Sequence, residues 1–232
     1  MKYLSDNKFA PATFKWGFIQ KDYASVVSAL QEWRRSINQV INVETASGNL
    51  EQALELLDPL SAPWDKEVII ETKSDWVAYF NNQRIGGDPF PPVSYASKLL
   101  HCRSIIFSDC PQLYVNRKLT TYGAVGFSVF TDVDTDWLNY ERSVVSYNDG
   151  GRWKFTNIGT PYPFEEIKRY ENKVIRLRMT DDLIEEYASH FGIRLFDESF
   201  YQGRFCLIEQ LNNKNHSFKK STYLDFRKNL GL

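Results

Sequence analysis

The hexapeptide FDESFY, Phe196 to Tyr201, sets two carboxylates among three aromatic rings. A carboxylate enclosed by apolar rings is poorly solvated, so its pKa rises, and a carboxyl with a raised pKa can deliver a proton as a general acid. Asp197 and Glu198 are therefore the candidates for acid chemistry, although the same residues also fit a turn whose rings pack down while the acids point out. Other adjacent acids, such as Asp181 and Asp182 or Glu185 and Glu186, fall where first helical turns and solvated faces favour negative charge. A basic run, Lys168, Arg169, Lys173, Arg176 and Arg178, is interleaved with Glu165, Glu166 and Glu171. That composition describes a surface helix with i,i+4 pairs, or a patch for an acidic partner surface.

Metal and nucleophile chemistry find little footing. His101, His190 and His216 are scattered, and no CxxC pair or HExxH helix supplies ligand spacing, so no metal and no cofactor is expected. The chain has no GxSxG elbow, Walker loop or GxGxxG fingerprint, and a Cys–His dyad would need partners that meet only in space. The balance tilts away from an enzyme. Aromatic residues are abundant, with six Trp and thirteen Tyr, and Trp76, Trp137, Trp153 and Tyr162 stand out beside turn-forming motifs. Such rings anchor protein interfaces, or they line a small-molecule pocket that Asp197 or Glu198 would serve.

Composition narrows the partners. At 232 residues, 43% hydrophobic and 25% charged, the chain can bury a large core unaided. With 28 basic and 29 acidic residues it has no field of one sign to gather nucleic acid, which is not an expected partner. Three cysteines make an odd count suited to a reducing compartment, and neither a secretory signal nor a membrane-length apolar run is evident. The expected location is the cytoplasm.

The elements that must position these residues follow from periodicity. FKWGFIQ alternates as a strand; Asp22 caps a helix carrying Tyr23, Val26, Val27, Leu30 and Trp33; and Leu50, Ala53, Leu54 and Leu57 mark a second helix. Two strands flank the turn TKSD, one with Val68 and Ile70, the other with Trp76, Ala78 and Phe80. GDPFPP leads into a helix with Val93, Ala96, Leu99 and Leu100 on its apolar stripe. SIIFS and YGAVGFSVFTDV are further strands, and RSVVSY and RWKFT form a hairpin about Asn148, Asp149, Gly150 and Gly151, with Trp153 and Phe155 facing the core. A helix is predicted from Phe164, with Ile167, Tyr170 and Val174 inward; another from a Thr180 cap to Gly192; then a strand, RFCLIEQL, and a polar tail over 212–232 with room for a short helix. The sum is a single α+β domain, 1–232, with a mainly antiparallel sheet and packed helices.

The order of signals repeats. SDWVAY is answered by TDWLNY, GDPFPP by GTPYPF, and the YAS at Tyr95 by the YAS at Tyr187, which suggests duplicated halves near 66–110 and 122–210 with a cleft between them.

The blocks NDGGRW, PFEE and FDESFY, with SDWVAYFNN and GGDPFPPVSYASKLL, resemble those of a group of uncharacterised bacterial proteins, over most of the chain after about residue 66. In general type the chain is similar to immunity proteins of bacterial toxin systems. The shared blocks carry no activity with them; the likeness in type implies a protein-binding module that neutralises a partner toxin, and the alternative is a small-molecule enzyme or ligand-binding protein with an aromatic pocket between related halves.

Overall fold

The computed structural model describes residues 4–84, 86–115, 118–135, 138–211 and 219–230. In chain order its elements are β1 (Lys15–Ile19), α1 (Tyr23–Ser36), β2 (Ile41–Asn49), α2 (Leu50–Glu55), β3 (Lys66–Thr72), β4 (Val77–Asn81), α3 (Phe90–Leu100) and β5 (Ser104–Cys110). There follow β6 (Leu113–Val115), β7 (Lys118–Thr121), β8 (Ala124–Thr135), β9 (Leu138–Asn148), β10 (Trp153–Ile158), α4 (Asp181–His190), β11 (Tyr201–Gln210) and α5 (Tyr223–Leu230). Nine strands form one sheet in the order β10-β9-β8-β5-β1-β4-β3-β11-β2, and every neighbouring pair is antiparallel. The chain is thus α+β with a mainly antiparallel sheet.

Both faces of this sheet are covered, which explains why its central strands are apolar on consecutive residues rather than alternate ones. Trp16, Phe18, Val68, Ile70, Phe80, Phe107 and Phe127 point to the face packed by α2 and α4. Ile19, Ile69, Tyr79, Ile106 and Ile208 point to the face packed by α1 and α3. Gly17 permits that second layer, because a Cβ there would press on Pro89 at 3.3 Å and closer still on Val93. Helix starts follow the sequence: the Asp22 carboxylate accepts the Ser25 N–H at 2.9 Å, and Asn49 and Gln52 form a reciprocal capping box.

Several expectations need correction. Leu99 is exposed and Leu100 half-buried, so the inward stripe of α3 is Val93 and Ala96, while Tyr95 turns out to lie tilted against Trp33, ring centroids 5.1 Å apart. Trp153 and Phe155 are only half-buried, because β10 is an edge strand and only Phe155 packs on the main core. Thr180 precedes α4 without a side-chain cap, and its carbonyl alone accepts the Ile184 N–H at 3.0 Å. No α-helix begins at Phe164; short 3-10 turns, Ile167–Glu171 and Ile175–Leu177, take its place. Asn172 stops the first turn by accepting the Val174 N–H on its side chain at 2.8 Å, a local bond that competes with helical pairing. The strand β2 was not anticipated.

The echoing segments are used differently. GDPFPP opens α3, whereas GTPYPF opens the 3-10 turns, and α3 and α4 pack on opposite faces. In the sheet β5 lies between β1 and β8, while β11 lies between β3 and β2. Trp137, the counterpart of Trp76, lies outside the described residues, as do 212–218 of the tail.

Candidate protein-binding surface

The corner after β10 is built on one buried cation. Arg142 on β9 directs Nη1 to Asn157 Oδ1 at 2.7 Å and to the carbonyls of Ile158 and Gly159, while Nη2 meets Glu165 Oε2 at 2.5 Å. Glu165 also accepts the Tyr162 N–H at 2.8 Å and the Tyr170 hydroxyl at 2.8 Å, so its remaining lone pairs are used. Neither ionic side chain touches solvent. A buried pair is tolerated only when its other donors and acceptors are satisfied, and here the corner's backbone supplies them. Gly159 is required, since its φ of 82° is a left-handed conformation and a Cβ would collide with the Glu141 carbonyl.

From this anchor the chain runs over the sheet edge as a strap, 166–178. Three contacts hold it. Tyr170 is buried beside Phe155, with ring centroids 5.4 Å apart; Ser146 donates to the Ile175 carbonyl at 2.9 Å; and Met179 enters the core. Arg178 donates to the Asn172 carbonyl at 2.8 Å and lies over the Phe155 ring.

What remains points outward. Ile167, Val174 and Leu177 are 42%, 47% and 43% exposed. Among the described residues Lys168, Lys173 and Arg176 have no ion-pair partner, whereas Arg169 is paired with Glu166 at 3.0 Å. A short, pinned segment therefore presents aliphatic side chains among free cations, with Glu171 as the one acid not paired there. The basic run was visible in the sequence. Ile167 and Val174 depart from the expected inward face, because no helix forms here to turn them in.

The sequence-predicted site residues lie elsewhere. Trp76 is in the core, its Nε1 donating to the Phe191 carbonyl at 2.8 Å. Tyr162 meets the same Phe191 edge-on at 5.4 Å, stacks on Phe164 and donates its hydroxyl to Glu141 at 2.7 Å. Burial and that Glu141 bond push its phenol above the usual range. Trp76 and Tyr162 are thus joined through Phe191 as packing. Trp153 stands at the opposite end of β10 from this corner, against Gly123.

Asp197 does not have the raised pKa of a general acid. It is lowered, first by the Ser199 side chain and to a smaller extent by the Ser199 N–H, which donates to it at 3.0 Å. Glu198 is exposed, while Phe200 and Tyr201 are buried and Phe196 lies edge-on to Trp16 at 5.6 Å. The rings pack down and the acids face water.

Trp76 does border one polar cleft of about 390 Å³, with Tyr23, Glu71, Asp75 and Arg204 on its walls. Two of its charges are engaged with each other, Arg204 meeting Glu71 through side chain and backbone, both at 2.6 Å, and Asp75 accepts from the neutral Gln20 at 2.8 Å. Gly203, at φ 124°, leaves room for the Glu71 carboxylate. Among the described residues no three His, Cys, Asp or Glu side chains are grouped as a metal would need, and no helix is long and apolar enough to cross a membrane. Compared with known proteins, the chain matches no family model, no curated protein and no solved structure.

Proposed function

We propose that this chain is a protein-binding module whose docking surface is the strap 166–178, and that its partner offers an acidic surface with apolar residues set into it. The observation that carries the reading is the presence of Ile167, Val174 and Leu177 in the open beside the unpaired Lys168, Lys173 and Arg176. Cations give orientation and fast encounter, and aliphatics give the area that water leaves. The strap is pre-ordered by Tyr170, Ser146 and the Arg142–Glu165 pair, so little ordering entropy opposes association. Exposed aliphatics favour a protein over nucleic acid, whose phosphate backbone would use the cations alone.

The narrower form of this reading is an immunity-type protein that neutralises a toxin enzyme in a bacterial cytoplasm. It rests on a likeness in general type to immunity proteins of bacterial toxin systems: an aromatic-rich α+β chain with a polar surface and no catalytic motif.

The test uses a labelled synthetic peptide alternating Glu and Leu, its Lys-for-Glu counterpart and a DNA duplex of equal charge. Anisotropy should show binding to the acidic peptide alone, weakened by salt, by K168E/K173E/R176E and by V174S/L177S. Equal binding of both peptides, or preferential DNA binding that V174S/L177S leaves intact, would overturn the reading.

A further inference from the structure

We propose that the free edge of β2 pairs with β2 of a second copy of this chain, antiparallel about a twofold axis at Thr45, so that one sheet runs through both copies. Among the described residues the sheet ends at β2, which pairs along its whole length with β11, from Ile41 opposite Gln210 to Asn49 opposite Gln202, without a register shift.

Backbone geometry shows which groups are unpaired. In an antiparallel ladder alternate residues turn both N–H and C=O to the same neighbour. The Val40 carbonyl accepts the Leu211 N–H at 2.8 Å, so even-numbered residues face β11. Consistently, the Asn49 N–H is taken outside the ladder, by Gln52 Oε1 at 3.0 Å. Ile41, Val43, Thr45 and Ser47 therefore direct their N–H and C=O groups away from the sheet.

Proteins protect such edges with lysine, proline, a bulge or a covering segment. β2 has none of the first three, and its one charged side chain is Glu44. The other edge of the sheet is treated differently: β10 carries Lys154, and Arg178 of the strap lies over its Phe155. Beside β2, Ile37 and Val40 are 46% and 57% exposed, at the end of the strand that a twofold at Thr45 sets opposite the start of α2 in the second copy.

Charge selects the register. Outward residues must pair with outward residues, which any axis through a residue allows; centres at Glu44, Thr45 or Ala46 keep the longest overlap of the two strands. A centre at Glu44 sets two carboxylates face to face, which is destabilising. A centre at Ala46 leaves only the Thr45–Ser47 pairs intact, because it sets Val43 against Asn49, whose N–H is already used. A centre at Thr45 also sets Asn49 opposite an outward residue, Ile41, at the strand ends, but it keeps three intact outward pairs, Val43 with Ser47 twice and Thr45 with itself, and it places Glu44 opposite Ala46.

The experiment is sedimentation of the full chain across a wide concentration range, with circular dichroism as the check on folding. The wild type should form dimers. Ala46→Glu creates two facing acid pairs and should weaken the dimer about tenfold, whereas Ala46→Lys creates two opposite-charge pairs and should tighten it by about as much. Thr45→Pro removes an outward N–H without touching the β11 ladder and should give a monomer. A wild type that stays monomeric throughout, or a dimer equally tight in the Glu and Lys variants, would overturn the proposal.

Discussion

The guanidinium of Arg142 and the carboxylate of Glu165 meet at 2.5 Å with both side chains wholly out of solvent. Such a pair contributes little by itself, because desolvation offsets the attraction, but removing one member strands a buried charge. Glu165→Ala should therefore cost about 3–5 kcal/mol in urea unfolding, and Arg142→Met combined with Glu165→Met should recover a large part of it. Amides of the strap should also lose hydrogen-exchange protection in the single variant, because Tyr162 and Tyr170 are tied to the same carboxylate. A loss below about 1 kcal/mol would show that the corner is held by something else.

Gly159 and Gly192 both have positive φ, 82° and 72°, yet their surroundings differ. An added Cβ at 192 meets nothing within 4 Å, while one at 159 runs into the Glu141 carbonyl. Gly192→Ala should thus cost only the conformational penalty, about 1 kcal/mol, and Gly159→Ala about 2 kcal/mol more. Equal melting temperatures for the two variants would count against the steric argument.

Trp76→Phe removes the buried bond to the Phe191 carbonyl and should lower stability by about 1–2 kcal/mol. Affinity for the acidic peptide should not change, since Trp76 packs between the sheet and α4 rather than on the strap. A stability-neutral variant with altered binding would return Trp76 to the binding surface.

Much of the fold was legible in the sequence because burial imposes a period. The alternation of Trp76, Ala78 and Phe80 and the spacing of Val26, Leu30, Ala53 and Leu54 survive directly as core contacts. β2 was not legible, because an edge strand exposed at Glu44, Thr45, Ala46 and Ser47 needs no apolar face and reads as a loop. The strap failed for a different reason: Ile167, Tyr170 and Val174 fit a helical stripe, but Glu165 is drawn to Arg142 and Asn172 caps Val174, so local bonds override the pattern. Partners distant in sequence, such as Arg34 with Glu67 at 2.7 Å or Arg142 with Glu165, leave no periodic trace at all.

Asp109 on β5 is buried, and neither carboxylate oxygen has a hydrogen-bond partner among the described residues. Burial first, and then the negative charge of Asp181 at the head of α4, push its pKa up to about 7. An unfolded Asp titrates near 3.9, so the folded state holds its proton more tightly. The sign follows: this contribution to stability is fully present below about pH 4, declines as the unfolded chain ionises while the folded acid stays neutral, and is lost as pH rises through about 7. The whole effect is on the order of 4 kcal/mol. Asp109→Asn keeps the shape without the charge, so it should match the wild type near pH 4 and exceed it by a few kcal/mol at pH 8. Urea midpoints taken at intervals between those limits measure the difference directly; a gap that does not widen with pH would mean that Asp109 ionises in the folded state as readily as in water.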